Sequence, residues 1–340
     1  MLEGGRTMVN VFGQSTEKVG ERGAAGPPGS SNLKELIKWF PELAIEQIRK
    51  NVKFSTFLVE TLPPDKDWDV KLNDERRVTA WRSLNHSRDG KMILKPIGKG
   101  SILEKLLPPM NDHQRYGLKF ERTEQCAYYA NNILSLRKPG TTVVLTITFL
   151  VGALPPDNVA SDGEEFILND YNPEEQTAEH FRGMSISSTG EEKFDLFLHG
   201  ADAGSNSASK NRLKIGTSLQ SSWFYTVQVI WGAEIERPDG SVRRLDSSYA
   251  VYENNECLVE KTFQCPLLSD LQTLAFSLGA KKALGKTADS YFTGILSNVE
   301  ILETEHETIP KELLHFIAMK QILINDHLLL APTSKRRKKM

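Results

Sequence analysis

"TTVVLTITFLVG", Thr141–Gly152, and "SSWFYTVQVIWG", Ser221–Gly232, decide the fold class, because both repeat with a period of two. In the first, Leu145, Ile147, Phe149 and Val151 share one face, while Val144, Thr146, Thr148 and Leu150 share the other. In the second, Trp223, Tyr225, Val227, Val229 and Trp231 alternate with Phe224, Thr226, Gln228 and Ile230. A strand turns successive side chains to opposite faces, whereas a helix returns to the same face every third or fourth residue. Both stretches therefore read as strands. Phe194, Leu196 and Leu198 repeat the pattern, as do Leu274, Phe276 and Leu278, and then Ile295, Ser297, Val299 and Ile301. Turn-rich breaks separate these runs: ALPPDN (153–158), DYNPEE (170–175), HGADAGSNSASKN (199–211) and RPDGS (237–241), the last a hairpin signal. Strands without helical patterns between them predict stacked antiparallel sheets over 113–306, of the larger jelly-roll kind.

Working outward, residues 32–112 read as a mixed α/β adaptor. Ser31 or Asn32 with Glu35 makes a capping-box arrangement before Leu33, Leu36, Ile37 and Phe40. FSTFLVE, Phe54–Glu60, reads as a strand, and Asn73 or Asp74 as the start of a helix through Val78 and Trp81. On the other side, Pro310 opens a helix over 307–327 with Leu313, Phe316, Ile317 and Ile324 on one face, packed on the sandwich. The expected class is thus mainly β: an antiparallel sandwich preceded by a small α/β subdomain and followed by a C-terminal helix.

The head, 1–31, holds glycine at every third place: Gly20, Gly23, Gly26 and Gly29, with Pro27 and Pro28 between. Only glycine fits at the axis of three polyproline-type chains. The spacing predicts a collagen-like spacer, and with it a homotrimer; a flexible linker is the alternative.

The 340 residues are 39% hydrophobic and 25% charged, an ordinary globular composition. The net charge is −2, yet the tail over 328–340 carries Lys335, Arg336, Arg337, Lys338 and Lys339, which leaves −7 on the rest. An acidic body argues against a broad phosphate-binding surface, so nucleic acid is expected only at the tail. That basic cluster, with no apolar leader at the start and no membrane-length apolar run, points to an intracellular protein with a nuclear address. Cys126, Cys257 and Cys265 are too few for a disulfide framework and read as buried thiols.

FRGMSISS (181–188), KFDLFLH (193–199), SSWFYTVQVIW (221–231), YFTGILSNVEIL (291–302) and IPKELLHFIAMKQ (309–321) follow in an order that resembles the concanavalin A-like, laminin G-like sandwiches. Phe292, Gly294, Leu296, Val299 and Ile301 fill the closing-strand pattern of that family. The layout, with its VNVFG start (9–13) and collagen triplets, is also similar to uncharacterised proteins of invertebrate genomes, some carried by Polinton/Maverick-type mobile elements. The resemblance implies calcium at loop oxygens, for which Asp157, Asp162, Asp202 and Asn206 are the candidates. It also implies a shallow sugar site with an aromatic platform, for which Tyr171, His199 and Tyr249 qualify by presumed loop position.

No catalytic set emerges. Glycosidases need two carboxylates flanking the scissile bond. Glu303, Glu305 and Glu307 in ETEHE sit at what reads as a solvated strand end. The expectation is a non-enzymatic structural or attachment protein without a cofactor, presenting a lectin-like sandwich on a short spacer to a glycan or protein ligand. A lectin or matrix-type adhesion protein is the alternative, and a glycoside hydrolase the third reading.

Overall fold

A computed structural model describes residues 53–58, 70–82, 93–107, 115–131, 140–152, 163–171, 182–190, 192–200, 212–253, 256–264, 275–281, 289–305 and 329–330. The collagen-like triplets, the helix expected over 307–327 and the basic tail lie outside them. In chain order the strands are β1 (Lys53–Leu58), β2 (Val70–Leu72), β3 (Val78–Arg82), β4 (Ile93–Ile97), β5 (Ile102–Leu107), β6 (Arg115–Phe120) and β7 (Ala127–Asn131). The central elements follow: β8 (Thr141–Val151), β9 (Glu165–Tyr171), β10 (Gly183–Gly190), β11 (Lys193–His199), β12 (Arg212–Gln220) and β13 (Phe224–Trp231). The chain continues through β14 (Glu234–Glu236), β15 (Val242–Arg244), β16 (Ser247–Glu253), β17 (Glu256–Phe263), β18 (Ala275–Leu278), β19 (Gly294–Glu305) and β20 (Leu329–Leu330).

These strands form two large antiparallel sheets. The first runs β17-β16-β13-β8-β19-β6-β5-β20, with β1 also on β19; the second runs β12-β11-β10-β9-β18-β7-β4-β3-β2. The quoted stretches are the heart of the first sheet: β13 lies on β8 with Tyr225 opposite Phe149, Val227 opposite Ile147 and Val229 opposite Leu145. Those side chains meet Leu168, Met184, Leu196, Leu198 and Phe276 of the second sheet in one continuous core. Sheets facing across a shared dry layer make a sandwich. A chain of ring contacts crosses it, from Trp81 through Tyr128, Phe120 and Phe292 to Phe149, with centroids 5.8–6.3 Å apart. Gly279 closes β18 at φ 81, where a side chain would strike the Phe120 ring.

Three expectations are corrected. Asn73 caps no helix; its Oδ1 accepts the N–H groups of Glu75 (3.1 Å) and Arg77 (2.9 Å), turning the chain between β2 and β3. Val78 and Trp81, three apart, fit a helical stripe better than one face of a strand, and the asparagine turn overrides that spacing. Second, the described strands before residue 113 form no separate layer: β4 pairs with β7, β5 with β6, and β1 with β19. Third, Glu303 is not at a solvated end, because β1 covers that edge of β19 and Glu303 is buried. The RPDG turn joins β14 to β15 as its sequence predicts, with Asp239 Oδ1 accepting the Ser241 N–H. Cys126 is buried, but Cys257 is exposed on β17, which ends the first sheet; Cys265 lies outside the described residues. Trp223 precedes β13 rather than sitting in the core, and is 45% exposed.

Candidate functional site

On β11, Phe194, Leu196 and Leu198 face the core, so Asp195, Phe197 and His199 turn the other way. Register extends this outward face. Ser185 of β10 lies opposite Phe197 and also opposite Phe166 of β9; Arg212 and Lys214 of β12 lie opposite His199 and Phe197. Glu164, two residues before Phe166, reaches the same face. Side chains of β9, β10, β11 and β12, with Glu164 just before β9, thus converge.

The centre of the group is one oxygen. Glu164 Oε1 accepts from the Ser185 hydroxyl, from His199 Nε2 at 3.1 Å and from Arg212 Nη2 at 3.1 Å. Ser185 Oγ is also 2.8 Å from His199 Nε2. Among the described residues no donor takes Oε2. Phe166 stacks on the His199 ring at 5.0 Å, and Lys281 stands 5.3 Å from the Phe166 centroid. The Arg212 guanidinium lies over Phe197 at 3.6 Å, and Lys214 pairs with Asp195 at 2.5 Å. His199 is almost buried, whereas the Glu164 and Arg212 side chains keep 25% and 34% of their surface, so the carboxylate is held from beneath and open above.

Burial works to raise the Glu164 pKa, but hydrogen bonds from His199 and Ser185, with the Arg212 charge alongside, outweigh it and hold the group at about 2. Burial pushes the His199 pKa down, against the pull of Glu164. The group at neutral pH is therefore an ionised carboxylate beside a neutral imidazole, whose Nε2 proton the carboxylate places. A hydrolytic relay puts the base between hydroxyl and carboxylate, on opposite ring nitrogens. Here hydroxyl and carboxylate crowd one nitrogen, and the hydroxyl proton goes to the carboxylate. The arrangement fixes an acceptor; it does not sharpen a nucleophile.

The next residue behaves oppositely. Glu165 points toward the other sheet, with Oε2 accepting the Thr293 N–H at 2.8 Å and Oε1 buried without a partner. Burial pushes its pKa up to about 7, with the Thr293 bond and the Arg122 charge pulling back.

Of the residues singled out from sequence, His199 is in the group, but at the end of a strand rather than in a loop. Tyr249 also lies in a strand, β16, packed on Phe263 in the core and 3% exposed, which removes it. Tyr171 ends β9, and its side chain is not among those described. Asp157, Asp162, Asp202 and Asn206 lie outside the described residues. Glu164, Ser185, Phe197 and Arg212 escaped the sequence reading. Strand parity could have grouped Phe197 with His199, since both oppose the Phe194–Leu196–Leu198 face; only register brings in the others.

No family model matches this chain, and no curated protein matches it. Among solved structures it is similar to a GH54 α-L-arabinofuranosidase (8% identity, TM-score 0.48, 84% of this chain and 65% of that one). A protein of unknown function from Shewanella oneidensis MR-1 gives 9% identity and a TM-score of 0.39 over 85% and 99% of the two chains. Tailspike protein 2 of an Escherichia coli O157:H7 bacteriophage gives 9% and 0.41 over 66% of this chain; the match spans 27% of the tailspike.

Proposed function

We propose that this is a non-enzymatic attachment protein whose second sheet carries a saccharide-binding face, centred on Glu164 and Arg212, within a concanavalin A-like jelly-roll sandwich. The observation that carries the reading is the convergence of three donors on Glu164 Oε1, which leaves Oε2 to a ligand. Beside it the Arg212 side chain keeps 34% of its surface, and its Nε is buried without a partner. An acceptor and a donor side by side suit neighbouring hydroxyls, each of which both gives and takes a hydrogen bond. The Arg212–Phe197 stack supplies the flat surface against which a sugar ring lies. The second carboxylate on this face, Asp195, is engaged by Lys214, which favours binding over the paired-carboxylate chemistry of glycosidases. The spacer Gly20–Gly29 would hold such a face away from whatever anchors the N-terminus.

A glycan array probed with the full-length chain, with and without chelator, tests the reading. Binding is expected to survive chelation and to weaken at least about tenfold in Glu164→Gln and Arg212→Ala. An array with no signal, or variants that bind like the parent, would sink it.

A further inference from the structure

Glu165 is a buried carboxylate that the saccharide face does not use. Its side chain reaches across the joint between the sheets, with Oε2 on the Thr293 N–H at 2.8 Å and Oε1 buried without a partner. Among the described residues Arg122, in the connection from β6 to β7, is the charge that acts on it. Ile186, opposite on β10, and Gly152 and Thr293 across the joint carry none. Asp289 and Tyr291 share the segment of Thr293, and Asp289 exchanges backbone bonds with Lys281. Burial with a single donor works against the charged form, which places its titration at about 7.

The segment Asp289–Thr293 crosses from the second sheet to the first, and its far end is fixed. The Phe292 ring is buried against Phe120 and Phe149, and the Thr293 carbonyl accepts the Gly152 N–H at 2.9 Å. The start of β9 is held less firmly. β18 pairs with β9 from Leu168 to Tyr171, and the Gly279 N–H takes the Ile167 carbonyl, so Glu165 and Phe166 lie beyond it. There, among the described residues, two bonds hold them on that side: Glu165 to Thr293, and the Phe166 N–H to the Ser290 carbonyl at 2.9 Å. Ser290 offers that carbonyl from a φ of 51, a conformation that strains a non-glycine residue. β10 runs along the other side, but its register shifts between Met184 and Ser185 at this point. Phe166 in turn stacks on His199, so the joint and the Glu164 group share one short stretch of chain. We propose that Glu165 is a proton-operated latch. With its proton it ties the start of β9 to Thr293; without it the carboxylate turns toward water, frees the start of β9 and loosens the Glu164 group. The control of saccharide binding that follows rests on the function proposed above, whereas the latch itself does not.

The test compares the full-length chain with Glu165→Gln at pH 6 and pH 8.5. Amide exchange, corrected for its intrinsic pH dependence, is expected to lose at least about fivefold protection at Phe166 and Thr293 in the parent and to hold in the variant. The Gly152 amide, on the fixed side of the joint, should keep its protection in both and certifies the fold of the variant. The Glu164 carboxyl-carbon shift, far above its own titration at about 2, should step near pH 7 in the parent and stay flat in Glu165→Gln. Unchanged protection in the parent, or the same loss in the variant, overturns the latch. A fall in protection without the Glu164 step overturns its coupling to the acceptor group. The glycan array, run at both pH values, is expected to lose signal severalfold at pH 8.5 in the parent alone. At pH 6 the latch is already shut, so a saccharide leaves Thr293 where it is. No array signal at either pH sinks the saccharide reading alone, because the amide and carboxyl readings need no ligand.

Discussion

Glu164 and Glu165 are neighbours in sequence and opposites in the fold. One stands on the outward face of the second sheet, where Ser185, His199 and Arg212 supply three donors to a single oxygen. The other stands at the joint between the sheets with one backbone N–H and one oxygen unpartnered. The same side chain is thereby held at about 2 in the first place and pushed up to about 7 in the second. Glu164 is half-buried with three donors and Glu165 is buried with one, so depth and partners together decide whether each carboxylate keeps its charge. The difference separates a region built to present a negative group from a region that merely tolerates one.

The two regions should fail at opposite ends of the pH scale. Glu165 has its folded pKa raised above the ordinary 4.5, so its contribution is whole below 4.5 and is lost as pH rises through about 7. The loss amounts to about 3 kcal/mol by pH 8. Urea unfolding at pH 5 and pH 8 should show that fall in the parent and a much flatter response in Glu165→Gln; identical slopes would mean the joint is not proton-loaded. The outward group runs the other way. Glu164 has its folded pKa lowered, so its contribution is present above 4.5 and disappears as pH drops toward 2. With a quarter of the side chain exposed and screened, this is about 1–2 kcal/mol. His199, also lowered, adds a loss in the same direction beginning below its ordinary 6.5. Glu164→Gln should therefore steepen nothing at pH 8 and flatten the acid limb, which acid titration followed by tryptophan fluorescence would reveal.

Ser185→Ala sharpens the comparison at the smallest scale. It removes one of three donors and should lift the Glu164 titration upward while costing about 1 kcal/mol of stability. A carboxyl-carbon NMR titration reads it directly, and an unmoved midpoint would show that His199 and Arg212 suffice.

How much of this could be read beforehand follows from the range of the interactions. The alternation in Thr141–Val151 and Phe224–Trp231 is local, and it declares the strands because each side chain's face depends only on its own position. Asn73 reads as a helix cap because an asparagine before a hydrophobic pair fits a cap and an asparagine turn equally. The convergence on Glu164 is invisible in one dimension. It depends on Ser185, His199 and Arg212 being brought together by registers between β9, β10, β11 and β12, with shifts between Met184 and Ser185 and between Asp195 and Phe197. Tyr249 is expected in a loop, yet its place in β16 turns it into the core.

The account rests on the outward face of the second sheet being the surface that meets a saccharide. Amide chemical-shift mapping of the labelled full-length chain during titration with an array-positive saccharide tests that most directly. The prediction is a contiguous set of shifts at Glu164, Ser185, Phe197, His199 and Arg212, with Thr293 and the joint unmoved. Shifts gathered on the first sheet or at its edges, with those five residues silent, would contradict it.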